Sequence, residues 1–96
     1  MELHQLRAFV LVADKLSFTE AARELKIVQP AVTRKIHKLE DELGAVLFIR
    51  RSNRTLLTEA GKRFLLDARR IVHYCDESLA VMRAFARGEQ GCNAEL

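Results

Sequence analysis

Three observations predict a mainly α-helical domain: three short helices, a small β-hairpin and one long closing helix. Apolar residues recur at helical spacing in four separate stretches, each set off by capping residues, a proline or a glycine. Between the third and fourth stretches the texture changes to two short β-prone runs around a polar, arginine-rich segment. The last stretch holds its period for ~30 residues, or ~45 Å at ~1.5 Å each, beyond the ~30 Å diameter of a small domain.

Length and composition set the bounds. The 96 residues are 49% hydrophobic and 30% charged, the balance of one soluble folded unit rather than a disordered chain. No apolar run approaches the length of a membrane span, and the one ending at Ala13 is closed by Asp14 and Lys15. Nor does the chain open with the pattern of a secretory signal, so a cytoplasmic protein is expected. The net charge is only +3, but its distribution is uneven. Between Arg23 and Arg54 lie Arg23, Lys26, Arg34, Lys35, Lys38, Arg50, Arg51 and Arg54, against Glu24, Glu40, Asp41 and Glu42. A local excess of this kind favours a polyanion as partner.

Residues 3–16 read as the first helix, with Leu3, Leu6, Val10 and Ala13 as a stripe thickened by Phe9 and Leu16. Ser17 followed by Glu20 has the form of a capping box and starts the second helix. Phe18, Ala22 and Leu25 follow at helical spacing, and the small Ala21-Ala22 pair lets another backbone approach. Lys26-Ile27-Val28 breaks the pattern. Gln29-Pro30 opens a third helix, because a proline in the first turn gives up an N–H that had no partner. Val32, Ile36, Leu39 and Leu43 form its core-facing stripe, and Gly44 ends it. Two helices joined by so short a turn make a helix-turn-helix.

Val46–Ile49 and Thr55–Leu57 read as strands of a hairpin, or wing, with Arg50, Arg51 and Arg54 at its tip. A two-stranded hairpin is marginal alone and must lean on the helical core. Thr58 caps the last helix, which reaches about Arg87, with Gly88 and Gly91 in a polar tail. Its apolar stripe comprises Phe64, Ala68, Ile71, Cys75, Leu79, Met82 and Phe85. The distal part has no core left to cover it, so the stripe predicts a homodimer interface. The organisation is thus 1–57 for the winged helix-turn-helix, 58–87 for the dimerisation helix and 88–96 for a linker or tail.

The third helix carries the chemistry. At 100° per residue, Pro30, Arg34, His37, Lys38 and Asp41 lie opposite the apolar stripe, with Gln29 and Thr33 flanking. Gln pairs bidentately with adenine, Arg with guanine, and Thr offers a hydroxyl and a methyl. The N-terminal end enters a DNA major groove first, so Gln29, Pro30, Thr33 and Arg34 are the expected base contacts. Lys35, His37 and Lys38, with Ser17 and Thr19 at the second helix's start and the wing arginines Arg50, Arg51 and Arg54, are the expected contacts to phosphate or a narrow minor groove. The competing reading is a protein-interaction adaptor that uses the long helix as a coiled-coil module.

Little else is chemically suggestive. His4, His37 and His73 are scattered, and Cys75 and Cys92 fit neither a zinc spacing nor a disulfide framework, so reduced thiols and no metal or cofactor are expected. Ser17 reads as a cap rather than a nucleophile, and no constellation supports an enzyme. Tyr74 reads as packing or interface.

The runs Leu6-Arg7-Ala8-Phe9-Val10, Ser17-Phe18-Thr19-Glu20-Ala21-Ala22, Gln29-Pro30-Ala31-Val32-Thr33-Arg34-Lys35-Ile36, Leu47-Phe48-x-Arg50 and Leu57-Thr58-Glu59-Ala60-Gly61 resemble, in register, the N-terminal domain of LysR-type transcriptional regulators. The resemblance implies a bacterial transcription factor that binds inverted-repeat promoter sites on double-stranded DNA. It also implies a dimer through the 58–87 helix, paired into a tetramer in many full-length regulators. Val28 stands where that family usually has serine, Asn53 where the wing often has arginine, and Ile49 where glutamate is frequent. The family continues into an effector-binding domain of two α/β lobes. Only Gly88 to Leu96 remains here, so no small-molecule pocket is expected in this chain.

Overall fold

The computed structural model describes residues 1–88; Gly91, Cys92 and the rest of the expected tail lie outside the described residues. The order of elements is α1 (Leu3–Lys15), α2 (Phe18–Leu25), α3 (Gln29–Leu43), β1 (Phe48–Arg51), β2 (Arg54–Leu57) and α4 (Glu59–Ala86).

Each boundary has a local cause. Leu16 takes a left-handed conformation (φ 50°) and returns its N–H to the Val12 carbonyl, closing α1. The Ser17 hydroxyl then accepts the Glu20 N–H at 3.0 Å and starts α2. The reciprocal half of the expected capping box is not made, because the Glu20 carboxylate pairs with Arg23 at 2.7 Å instead. A comparable return bond occurs at α1, where the Glu2 N–H donates to Gln5 Oε1 at 2.9 Å. Lys26 (φ 60°) ends α2 and Gly44 (φ 69°) ends α3.

Phe9 is the hub of the core and has no exposed surface. Its ring lies 5.4 Å from those of both Phe48 and Phe64, and Phe48 meets Phe18 edge-on at 5.6 Å. Around it pack Leu6, Val12, Ala21, Ala22, Val32, Ile36, Leu39, Leu47 and Ala68, so one core joins all four helices and the first wing strand. Leu43 departs from expectation: it is 38% exposed, whereas Val32, Ile36 and Leu39 are buried. Its direction around the helix is the one expected, but its neighbours run out a turn earlier. α1 begins beside Glu42, which pairs with the Met1 ammonium, and leaves Leu43 at the rim.

The hairpin is tighter than expected. β1 and β2 pair antiparallel from Phe48↔Leu57 to Arg51↔Arg54, joined by Ser52-Asn53 alone. Both turn residues have positive φ (53° and 62°), the primed geometry whose twist matches the strands. The three arginines therefore lie on the strands and not in the loop, and Val46 falls outside the sheet.

α4 starts in a dense knot. Thr58 Oγ1 accepts the Gly61 N–H at 2.9 Å and donates to the Val46 carbonyl at 2.6 Å. A methyl group at Gly61 would sit 2.3 Å from the Leu47 carbonyl oxygen, so the helix approaches the wing as only glycine permits. The proximal half of α4 lies along α1, tied by Arg69–Asp14 (2.5 Å) and Arg7–Asp76 (2.7 Å). Phe64 and Ala68 are accordingly part of the chain's own core and not of an open stripe; Ala68 has no exposed surface. Beyond Asp76 the helix leaves the body, giving extents of 59 × 26 × 18 Å.

Candidate nucleic-acid interface

Two elements present the predicted site: the first three turns of α3 and the wing. Gln29, Pro30, Arg34, His37 and Lys38 are exposed on α3, with Thr33 half-buried among them. Gln29 Nε2 donates to Thr33 Oγ1 at 3.1 Å, an i,i+4 bond that lays the glutamine amide along the wing-facing side of the helix. Lys35 is set apart from this group. It is half-buried on the side of α3 that faces α1, and its Nζ lies 2.9 Å from His4 Nδ1.

The wing is fixed relative to α3 by a residue that sequence reasoning counted only as a charge. The Glu40 carboxylate accepts the Leu47 N–H at 2.7 Å and the Phe48 N–H at 3.4 Å, pinning the start of β1 to the last turn of α3. Its signal in the sequence was an acid beside the apolar stripe of a helix, a few residues ahead of a strand with backbone donors to satisfy.

The result is a pair of adjoining depressions. One, of about 180 Å³, is lined by Phe18, Gln29, Thr33, Ile36, His37, Glu40, Phe48, Ile49 and Arg50. The next, of about 300 Å³, is lined by Leu16, Ser17, Phe18, Thr19, Gln29, Arg50, Asn53, Arg54 and Thr55. Gln29 and Arg50 belong to both, so the start of α2, the start of α3 and the wing share one concave surface. Thr19 is exposed in the first turn of α2, next to the Ser17 cap and at the positive end of the helix dipole.

Several cations on and beside this surface are unpaired. Among the described residues, Arg34, Lys38, Arg50, Arg51 and Arg54 form no ion pair, while Lys62, Arg63, Arg69 and Arg70 on α4 are all paired with carboxylates. Arg51 and Arg54 also face each other across the ladder, a like-charge pair that costs stability until an anion bridges it. The displaced pKa values lie elsewhere. The Arg7 guanidinium, through its hydrogen bond and then its charge, holds the Asp76 carboxyl below the usual range.

The other predicted residues are dispersed. Ile71, Leu79, Met82 and Phe85 are exposed along α4, Cys75 is half-buried with its Sγ 3.9 Å from Arg7, and Tyr74 is 74% exposed. His73 lies against Glu77, and the described residues contain no cluster of three or more His, Cys, Asp or Glu able to hold a metal ion. No described helix is long and apolar enough to cross a membrane.

Known proteins share this fold. The chain is 48% identical over 91 residues to the HTH-type transcriptional regulator ClcR of Pseudomonas putida, covering 95% of this chain and 31% of that protein. It thus spans about a third of the length of such a relative. Among solved structures, the CbnR DNA-binding domain in complex with DNA superposes with a TM-score of 0.81 at 42% identity, covering 90% of this chain and 99% of that one. The BenM DNA-binding domain in complex with catB site 1 DNA gives 0.84 at 38% identity, covering 90% and 97%. Residues 3–62 match the model of the bacterial regulatory helix-turn-helix proteins of the lysR family, and the chain belongs to that family.

Proposed function

We propose that this chain is the sequence-specific, double-stranded-DNA-binding part of a LysR-type transcriptional regulator acting in the cytoplasm. The observation that carries the reading is the shared concave surface, where the N-terminal end of α3 meets a wing bearing Arg50 and Arg54, with Arg34 and Arg51 next to its lining residues in sequence and none of the four in an ion pair among the described residues. A helix anchored on one side by Val32, Ile36 and Leu39 and bearing Gln29, Pro30, Thr33 and Arg34 on the other is built to enter a major groove. Arg34 supplies a fork for guanine, and the Gln29 amide, steadied by Thr33, supplies a donor and an acceptor for adenine.

Ser17, Thr19, His37, Lys38, Arg50, Arg51 and Arg54 surround that helix end and hold the phosphate backbone. Lys35 is engaged with His4 in the free protein and joins the phosphate contacts only if it swings away. Residues 1–57 act as the reading head and 58–87 as the helix that pairs two copies through Ile71, Cys75, Leu79, Met82 and Phe85. Two heads joined in this way match an inverted repeat. The DNA complexes of the CbnR and BenM domains support the reading by analogy. An adaptor that used α4 alone would leave the five unpaired cations of α3 and the wing without a role.

The test is selection from randomised duplexes, followed by fluorescence-anisotropy titration of the enriched sequence. Arg34→Ala is expected to relax the preference at one base pair per half-site, while Arg50→Ala weakens all sequences alike. Failure to enrich any sequence sinks the proposal.

A further inference from the structure

Val28 is 67% exposed, more than any other large apolar side chain in residues 1–57. It occupies the N-cap of α3 in an extended conformation (φ −75°, ψ 149°) and makes no side-chain capping bond. Only its carbonyl takes part, accepting the Ala31 N–H at 3.0 Å. Valine is among the poorest N-caps, so the side chain does nothing for the helix it begins.

A single exposed apolar residue on a protein surface ordinarily requires no account. Position distinguishes this one. Val28 directly precedes Gln29 and Pro30, both exposed, at the end of α3 proposed to enter DNA. Gln29 is drawn toward the wing by its bond to Thr33. Val28, about 100° away around the helix axis, is left on the other flank of the tip. That flank carries Ala31 and Lys35, whose Nζ is turned to His4.

Resting on the DNA-binding reading, we infer that Val28 is a specificity-determining residue that packs against the C5-methyl group of a thymine in the major groove. The chemistry is selective. The major-groove edges of the four bases offer donors, acceptors and one methyl group, and apolar side chains meet that methyl. A serine here would turn to the helix N–H groups or to phosphate. Valine can do neither, and its exposed methyls are removed from water only by an apolar counterpart. The site would thereby gain a preference for thymine over cytosine at one position of each half-site, beside the bases read by Gln29.

The experiment isolates one methyl group on each side. The sequence enriched from randomised duplexes by the 96-residue chain is resynthesised with each half-site thymine replaced in turn by deoxyuridine, which lacks only the C5-methyl. Affinities are measured by anisotropy at fixed salt for the wild type, Val28→Ala and Val28→Ser. At one thymine per half-site the wild type is expected to lose about threefold to fivefold on methyl removal, the value of one buried methyl-sized group. Val28→Ala, which caps no better or worse, should bind the thymine duplex correspondingly more weakly and ignore the methyl. Val28→Ser should also ignore it while melting at a higher temperature, separating the contact from the stability of the helix. If every deoxyuridine substitution affects wild type and Val28→Ala equally, the inference is overturned while DNA binding stands. If no sequence is enriched, both fall together.

Discussion

The reading head and the long helix are unsatisfied in opposite ways. Residues 1–57 bury most of their apolar stripes, Leu16 and Leu43 excepted, but leave Arg34, Lys38, Arg50, Arg51 and Arg54 without ion-pair partners among the described residues. On α4, Lys62, Arg63, Arg69 and Arg70 are neutralised by Glu59, Asp67 and Asp14, while Ile71, Tyr74, Leu79, Val81, Met82 and Phe85 remain open. One region lacks an anion and the other lacks apolar cover. The same residue types serve different ends according to whether an opposite charge lies within reach, and composition alone, at +3 overall, conceals the division.

Salt should separate the two regions most sharply. A dimer offering ~6–10 phosphate contacts is expected to lose ~10³–10⁵ in DNA affinity between 50 and 200 mM salt. Self-association through α4, driven by apolar burial, should hold nearly constant over that range when followed by sedimentation. DNA affinity indifferent to salt would mean that the unpaired arginines are ordinary solvated surface.

The two phenylalanines of α4 divide the helix itself. Phe64 packs on Phe9, and Phe64→Ala should cost about 3 kcal/mol of folding stability, read from denaturant titration. Phe85 is exposed and makes no ring contact among the described residues, so Phe85→Glu should leave the fold intact but shift sedimentation toward the monomer. Gly61→Ala falls between them. The added methyl would collide with the Leu47 carbonyl and lever α4 off the wing, costing about 1–3 kcal/mol. Equal behaviour of Phe64→Ala and Phe85→Glu would erase the boundary drawn near Asp76.

Paired and unpaired arginines should also differ one by one. Arg34→Ala is expected to lose ~1–3 kcal/mol of discrimination at a single base pair. Arg63→Ala, which removes an exposed i,i+4 partner of Asp67, should leave DNA affinity unchanged and stability within ~0.5 kcal/mol. Parallel anisotropy titrations and thermal melts on the two variants decide the point.

Much of this division was legible in the sequence because it rests on local rules. Helix periodicity, the Ser17 and Thr58 caps, Pro30 in a first turn and Gly44 at a helix end each act within a few residues, and each sits where expected. The face of α3 bearing Gln29, Arg34 and Lys38 followed from rotation about a single axis. What escaped depended on distance through space. Phe64 and Ala68 belong to the stripe by spacing, yet α1 covers them, and no periodicity reports where a neighbouring helix ends. Leu43 is the converse case, correctly aimed but beyond the packed region. The wing arginines read as a loop in the sequence because a polar run resembles one, whereas the primed turn needs only Ser52 and Asn53. Lys35 and Glu40 were read by charge, and the partners that orient them, His4 and the Leu47 amide, are 31 and 7 residues away.

The smallest expected effect tests the tie placed where α4 leaves the body. Asp76 is held below the usual carboxylate range, first by its hydrogen bond from Arg7 and then by the Arg7 charge, with His73 adding to it. A carboxyl that binds its proton less tightly folded than unfolded makes the unfolded state the better proton acceptor, so stability rises with pH through the titration. The contribution is fully present above the unfolded carboxylate pKa of about 3.9 and is lost as pH falls through the lower folded value. Because the pair is solvent-exposed, the change should be modest and further reduced by salt. Asp76→Asn should remove this part of the acid sensitivity and leave the remainder. The clearest readout is amide exchange along Val72–Ser78, which should quicken in Asp76→Asn near neutral pH and converge with the wild type in acid. Convergence shows that protonating Asp76 and deleting its charge release the same contact; persistent divergence would mean that the bridge to Arg7 does not hold α4 to α1.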